Sequence, residues 1–181
     1  IIFIVYYLTC IFNHTIWKII RKLNTEISKE DVINAQKLWA DHVIKIGYLY
    51  TNGGDYMKAA NDFVSNFYAY EIGNVLFKPT LASKTQFRFK FDDALSYFIG
   101  GSIKEDKGFA LKPWKEIRFG DRNLILGEEI AIAMGNYYFL GVNETKEVKV
   151  EYTFGYIRNK NRSLVINLHH SSLPYQENYN K

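Results

Sequence analysis

Two histidines and two serines stand side by side near the C-terminus, in the segment His169–Ser172. They follow the apolar segment Leu164–Leu168, whose residue types predict a β-strand. Imidazole accepts a proton near neutral pH, and serine hydroxyls both donate and accept hydrogen bonds. These groups are suited to binding a small polar substrate or to transferring its protons.

Strand geometry divides this segment between two faces, because successive side chains point in opposite directions. The even-numbered side chains of Leu164–Leu168 form an apolar face, and His170 and Ser172 continue it. His169 and Ser171 fall on the other face. We therefore predict that His170 and Ser172 lie at the polar end of a buried surface, where a small pocket with a few converging polar groups would form.

Several common kinds of catalytic site do not fit the sequence. His169 and His170 are adjacent on a strand and poorly placed to chelate one ion, the chain has a single cysteine, Cys10, and no H-x-H or H-E-x-x-H motif occurs. His170 and Ser172 are about 7 Å apart at Cα, which makes them a poor nucleophile and base pair. No G-x-S-x-G motif or glycine-rich phosphate loop is present. The sequence predicts no metal site of the usual zinc type.

Composition indicates one globular domain with an aromatic interior. The chain has 181 residues, of which 48% are hydrophobic and 17% aromatic, with 14 Tyr and 13 Phe. This is enough apolar material for a substantial core and argues against disorder. The rings pack a core, wall a cavity, or do both. The net charge of +4 is scattered, and basic residues interleaved with aromatics are absent, so we expect no nucleic-acid partner.

The elements that must position these groups follow from periodicity. Ser28 is a candidate N-cap for an amphipathic helix that ends at Gly47, and a second helix follows Asp55. Period-two patterns and a short capped helix come next. We predict strands at 75–79, 85–91, 115–119, 124–134, 136–142, 146–158 and 163–171, the short helix at 92–99, and turns at Gly120–Asp121, Gly135–Asn136, Asn143–Glu144 and Asn159–Asn161. This order predicts an α+β fold, in which a curved antiparallel sheet packs on N-terminal helices as a cone that encloses a pocket.

The N-terminal segment 1–26 differs from the rest of the chain. Ile1–Phe12 is almost continuously apolar but would span only about 18 Å as a helix, short of a bilayer core. It resembles the apolar region of a signal peptide, although basic residues follow it and no A-x-A cleavage site is visible. We favour a truncated export or targeting signal over a structural helix, with translated upstream sequence as a third reading.

These readings set the expected domain boundary and location. We predict a single domain over 27–181, with membrane contact only through an uncleaved segment 1–26. An exported or periplasmic location is favoured if the segment is a signal, and an organellar or cytoplasmic one otherwise.

Four separated motifs together resemble the iota-class carbonic anhydrases. They are Phe77–Ala82, Ala133–Phe139, Val148–Tyr156 and His169–Tyr175, and the resemblance covers about residues 28–176. It implies a fold similar to the association domain of calcium/calmodulin-dependent kinase II and to the nuclear transport factor cone, usually as a homodimer. It also implies reversible hydration of carbon dioxide to bicarbonate. Some members are described as metal-free, and a manganese-dependent member has been proposed, so we expect no cofactor and leave manganese or zinc dependence open.

The resemblance also implies site residues. The family's Thr, Tyr and Ser around bicarbonate match Thr80, Tyr97 and the serine pair, in which strand parity favours Ser172 as the catalytic serine and leaves Ser171 as a substrate-binding residue. His170 is the expected proton acceptor.

Two other functions remain open. One is a non-catalytic cone-fold hub that oligomerises or binds a small ligand, since fold alone does not decide function. The other is an acid–base enzyme like the steroid isomerases, which needs an inward-facing carboxylate from Asp92, Asp93 or Glu128.

Overall fold

The computed structural model describes residues 26–176, so the predicted segment 1–26 lies outside the described residues apart from Glu26. Within 26–176, no helix is long and apolar enough to cross a membrane. The helices are α1 (Lys29–Thr51), α2 (Tyr56–Phe67) and α3 (Phe91–Ile99), with 3₁₀ turns at Ala69–Glu71 and Phe109–Leu111. The strands are β1 (Leu76–Lys78), β2 (Trp114–Leu126), β3 (Ile130–Gly141), β4 (Val148–Arg158) and β5 (Leu164–Ser172).

The strands form one curved sheet in the order β1-β5-β4-β3-β2. The pairs from β5 to β2 are antiparallel, whereas β1 joins the sheet parallel to β5. The helices cover its concave face, which confirms the predicted α+β cone. The parallel pair matters for the site, because the carboxyl ends of β1 and β5 meet at the same edge.

Helix α1 is the main cover of the concave face. Ser28 caps its N-terminus through a reciprocal pair of hydrogen bonds with Asp31. Its buried side chains recur every three or four residues and so share one stripe. Trp39 stands at the centre of that stripe, with ring contacts to Phe63 of α2, Phe98 of α3 and Phe154 of β4. Aromatic pairs of this kind hold helices and sheet together beyond simple area burial.

The sheet differs from the prediction at two positions where a glycine is followed by a polar residue. Gly120–Asp121 and Gly135–Asn136 were expected to be turns, but both lie inside strands, and the β2–β3 turn falls at 127–129. A β-bulge in β2 opposes Gly135, where an added Cβ would lie 2.4 Å from the Asp121 carbonyl oxygen. These glycines therefore allow close backbone approach at a bulge rather than a chain reversal.

The predicted strand at 85–91 is wrong. The segment is irregular, and only one backbone hydrogen bond, from the Arg88 N–H to the Phe77 carbonyl at 2.8 Å, is found between it and β1. Burial does alternate along this segment, but the charged side chain is the buried one: Phe87 and Phe89 are exposed, while the Arg88 side chain is fully buried. Arg88 pairs with Asp106 at 2.7 Å, and this buried ion pair outweighs the aromatic pattern.

Candidate active site

The polar side chains at the end of β5 alternate between the two faces of the sheet, but each lies on the face opposite to the one predicted. His169 and Ser171 are each 2% exposed on the concave face, whereas His170 is exposed and Ser172 half-buried on the outer face. There Ser172 donates a hydrogen bond to Glu151 at 3.1 Å. The predicted inward orientation of His170 and Ser172 is therefore wrong.

A β-bulge at Asn167 causes this inversion. Tyr156 of β4 pairs with Ile166 and its neighbour Gly155 pairs with Leu168, so Asn167 is an extra residue in β5. One inserted residue shifts the alternation, and every side chain beyond it changes face. Gly155 makes the bulge possible, because a Cβ there would lie 2.8 Å from the Asn167 side-chain oxygen. Alternation in the sequence alone does not reveal such an insertion.

Ser171 meets Thr80 at the edge where β1 and β5 end. Phe77 is in register with His169 and Lys78 with His170, so the chain leaving β1 passes beside Ser171. The Thr80 and Ser171 hydroxyl oxygens are 2.7 Å apart. The Lys78 ammonium donates to the Ser171 carbonyl at 3.0 Å and ties the two strand ends together. The structure thus places Thr80 at a strand end, as predicted, and pairs it with Ser171.

Two tyrosines complete the group of hydroxyls. Tyr97 of α3, the tyrosine that the family resemblance implied, is 6% exposed and lines the same cavity as Thr80. Burial raises the pKa of Tyr97, opposed in part by a hydrogen bond from the Leu81 backbone. Tyr137 of β3 was not singled out from the sequence. Burial raises its pKa, while the nearby Ser171 and Thr80 hydroxyls oppose that rise. We call Thr80, Tyr97, Tyr137 and Ser171 the hydroxyl cluster.

His169 lies next to the hydroxyl cluster in an aromatic enclosure. Its ring stacks on Phe77 with centroids 4.7 Å apart and meets Phe154 edge-on at 4.2 Å. Its Nδ1 is 2.9 Å from the Tyr68 hydroxyl and its Nε2 is 3.4 Å from the Tyr137 hydroxyl. Burial lowers the pKa of His169 well below 6.5, so the ring is neutral at physiological pH. It can relay hydrogen bonds but cannot act as a base near neutrality.

The hydroxyl cluster adjoins a cavity of about 590 Å³. Its lining includes Thr80, Tyr97, Phe109, Trp114, Phe139 and Val150. Rings and aliphatic side chains form most of the wall, and Thr80 and Tyr97 are the members of the hydroxyl cluster that line it. Such a cavity holds a small apolar molecule and offers hydrogen bonds to any polar atom that forms on it.

The carboxylates near this cavity are already engaged. Asp106 accepts hydrogen bonds from Arg88 and Ser96, each at 2.7 Å. Glu105 accepts from the Ser83 hydroxyl and from the backbone N–H groups of residues 83–85, and these hydrogen bonds, that of Ser83 first, lower its pKa to about 2. Both carboxylates hold the loops around the cavity in place.

The predicted isomerase-type carboxylates are not in the cavity wall. Asp92 and Glu128 are exposed, Asp93 is half-buried, and none of the three lines the cavity. Across residues 26–176, no cluster of three or more His, Cys, Asp or Glu side chains could hold a metal ion. The carboxylates that do line the cavity, Glu105 and Asp106, are those already engaged in hydrogen bonds, and Thr80 and Tyr97 supply hydroxyls to it.

Comparison with known proteins agrees with this chemistry. The profile of a family described as metal-independent carbonic anhydrase matches residues 30–173. A metal-independent carbonic anhydrase from Nostoc sp. (strain PCC 7120 / SAG 25.82 / UTEX 2576) is 35% identical over 160 residues, which are 86% of this chain and 78% of that protein. The family's description also supports the predicted lack of a cofactor.

Solved structures give the same result. The crystal structure of an iota-carbonic anhydrase from a cyanobacterium, complexed with bicarbonate, superposes with a TM-score of 0.80 at 32% identity, covering 84% of this chain and 96% of that one. A nuclear transport factor 2-like protein from Salmonella enterica subsp. enterica serovar Typhimurium str. LT2 has a TM-score of 0.55 at 11% identity, covering 84% and 95%, and shows the fold alone. The chain therefore belongs to the metal-independent carbonic anhydrases of the iota class.

Proposed function

We propose that this carbonic anhydrase hydrates carbon dioxide at the hydroxyl cluster. The observation that carries the proposal is the Thr80–Ser171 pair, 2.7 Å apart, next to an apolar cavity. Carbon dioxide is apolar before the reaction and its oxygens become anionic during it. A site with apolar walls and hydroxyl donors at one end matches both states, and donors aimed at developing charge stabilise the transition state.

The reaction places definite demands on these side chains. A water oxygen forms a bond to the carbon, one carbon–oxygen π pair moves onto an oxygen, and the water loses a proton, giving bicarbonate and H⁺. Thr80, Ser171 and Tyr97 hold the reactants together and donate to the developing oxyanion. Burial keeps the Tyr97 and Tyr137 phenols protonated, so neither takes this proton, and it passes to water or buffer.

The roles of the two serines and two histidines depend on which face of β5 each side chain occupies. Ser171 takes the catalytic role first expected of Ser172, because it lies on the concave face and its hydroxyl is 2.7 Å from that of Thr80. His170 points away from the cavity, and buried His169 is neutral. Neither can accept the proton from a water in the cavity near pH 7. The cyanobacterial iota-carbonic anhydrase was solved in complex with bicarbonate, which supports bicarbonate as the product of this reaction.

A hydration assay on chelator-treated protein tests the proposal. Wild-type protein stripped with a strong chelator is expected to keep its activity, with no gain when zinc or manganese is added back. Thr80→Val, which keeps the shape and removes the hydroxyl, is expected to lower the rate by about a hundredfold, as for loss of an oxyanion donor. Thr153→Val, on the outer face opposite His170, is the matched control and should keep the wild-type rate.

Two results would overturn the proposal. One is complete loss of activity on chelation with recovery on adding a metal. The other is a Thr80→Val enzyme as active as Thr153→Val.

We infer a homodimer formed through the outer face of the sheet. Ile125, Ile130 and Met134 lie there and are 69%, 45% and 60% exposed, an apolar patch that a monomer would leave in water. A second copy of the chain would cover it symmetrically. Sedimentation should give twice the 21.2 kDa chain mass for wild type. Met134→Asp should give the single-chain mass; an unchanged mass would place the interface elsewhere.

A further inference from the structure

A line of buried hydrogen bonds connects helix α1 to the hydroxyl cluster. The Trp39 indole N–H donates to the Tyr68 hydroxyl at 3.1 Å. Tyr68 contacts His169 Nδ1 at 2.9 Å, and His169 Nε2 contacts the Tyr137 hydroxyl at 3.4 Å. Each of these side chains is at most 2% exposed. We call Trp39, Tyr68 and His169 the relay.

The chemistry of the donors gives the relay a direction. An indole N–H can only donate, so the Tyr68 oxygen accepts from Trp39. The Tyr68 proton then has one described partner, His169 Nδ1. If Nδ1 carried a proton instead, the buried Tyr68 hydroxyl proton would have no acceptor, which costs the full desolvation of that group. Nδ1 is therefore the acceptor.

The direction continues through His169 to Tyr137. A neutral imidazole carries one proton, so an unprotonated Nδ1 puts that proton on Nε2. Nε2–H then faces the Tyr137 oxygen. Tyr137 accepts from His169 and keeps its own proton free for another acceptor. Ser171 and Thr80 are close enough to affect the pKa of Tyr137 and are the acceptors that the relay would use.

Counting protons shows what this does to the Thr80–Ser171 pair. The pair has two hydroxyl protons, and one lies in the bond between them. When Tyr137 donates to the pair, the second proton is free to point into the cavity. When Tyr137 accepts instead, that second proton is used on Tyr137, and the pair offers the cavity only lone pairs. The tautomer of His169 thus decides whether the pair is a donor or an acceptor toward the substrate.

We propose that Trp39 and Tyr68 are positioning residues that fix His169 as the Nε2–H tautomer and thereby make the Thr80–Ser171 pair a hydrogen-bond donor to the oxygens of the substrate. The catalytic part of this inference rests on the proposed function, whereas the tautomer can be measured without reference to activity. Neither residue reaches the cavity lining. The hydrogen bonds of Trp39 and Tyr68 reach Tyr137 through His169.

Nitrogen-15 NMR of the histidine ring tests the relay. In ¹⁵N-histidine-labelled wild-type protein, His169 should show a protonated Nε2 and an unprotonated Nδ1, with the signals assigned by their loss in His169→Gln. Tyr68→Phe keeps the ring and removes the donor, so Nδ1–H should become populated. We expect kcat to fall about tenfold, the scale of one lost hydrogen bond.

Tyr156→Phe is the matched control for this change. Tyr156 and Tyr68 are equally buried at 1% exposure, and the Tyr156 hydroxyl has no partner at hydrogen-bond distance in the described structure, although the Gln36 side chain is near enough to affect its pKa. The Tyr156→Phe substitution should leave both the His169 tautomer and kcat unchanged. A general effect of removing a buried phenol oxygen would change both variants alike and would count against the relay.

The outcomes separate the relay from the proposed function. An Nδ1–H tautomer in wild-type protein overturns the relay even if no variant folds. An unshifted tautomer in folded Tyr68→Phe, or a shifted tautomer with unchanged kcat, overturns it as well. Full activity in Thr80→Val would instead overturn the proposed function and leave the measured tautomer standing.

Discussion

The two faces of β5 carry the same residue types in different surroundings. On the concave face, His169 and Ser171 are enclosed by rings and joined to other hydroxyls. On the outer face, His170 is exposed and Ser172 bonds to Glu151. One inserted residue, Asn167, decides which histidine and which serine face inward. Chemistry at this site therefore depends on the register of the strand more than on the composition of the motif.

Burial gives the inner pair its chemical character. Removal from water lowers the pKa of His169 and keeps it a neutral hydrogen-bonding ring. The bond between Thr80 and Ser171 forms at 2.7 Å in a partly buried place, whereas the bond between Ser172 and Glu151 is exposed and competes with water. Polar contacts gain strength as water is excluded. The predictions below test this contrast between the faces.

The largest expected effect is on the bulge that separates the faces. Gly155→Ala would place a methyl group 2.8 Å from the Asn167 side-chain oxygen and from the Leu168 Cβ. The strand must shift or the bulge must open, and we expect a loss of about 2 kcal/mol in the free energy of unfolding, as for other overpacked sites. Urea denaturation measures it.

Gly73→Ala is the control for this substitution. An added Cβ at Gly73 meets nothing within 4 Å, so the change in chain entropy is matched without the clash. Equal stability of the two variants would contradict the view that Gly155 is required by the bulge.

The next effect is a pH dependence of stability that belongs to His169. Its pKa is lowered on folding, so below the ordinary value of 6.5 the unfolded chain binds a proton that the folded protein does not. This contribution to stability is complete above pH 6.5 and is lost as the pH falls, by about 1.4 kcal/mol per pH unit. Denaturation of wild type and His169→Gln at pH 7, 6 and 5 should show the slope in wild type alone.

His170→Gln provides the comparison from the outer face. It should keep the wild-type slope, because His170 is exposed and no buried neutral ring is lost. Finding the slope removed by His170→Gln and retained in His169→Gln would reverse the assignment of the faces.

The sequence predicted the positions of helices and strands better than it predicted which face of a strand each side chain occupies. The spacing of apolar residues identified α1 and α2, and β5 was expected within one residue of its observed bounds. Thr80 and Tyr97, which the family resemblance implied as site residues, both line the cavity. The assignment of residues 169–172 to the two faces of β5 was wrong, because the bulge arises from the pairing of β5 with β4. The sequence of β5 alone does not reveal it.

The remaining site residues were missed for related reasons. Tyr137 stands within a motif of the family resemblance but is one tyrosine among 14, and nothing local distinguishes it. Its contact with Ser171 depends on the register of β3, β4 and β5 together. Arg88 lies in the segment 85–91 that was predicted as a strand, and the acidic side chains that the fold brings to it explain its burial.

The smallest expected effect is on the outer face itself. Ser172→Ala removes an exposed hydrogen bond to Glu151 and should change the free energy of unfolding by less than about 0.5 kcal/mol. Thermal and urea denaturation both measure it. A loss above about 1 kcal/mol would mean that the outer face is more enclosed than the described structure shows.

The most direct test of the central claim is the rate of carbon dioxide hydration in Ser171→Ala and Ser172→Ala, measured side by side with wild type after chelator treatment. The two variants make the same chemical change at adjacent residues on opposite faces. We predict that Ser171→Ala loses activity by about a hundredfold while Ser172→Ala keeps the wild-type rate. Full activity in Ser171→Ala, or loss in Ser172→Ala alone, would contradict a site on the concave face.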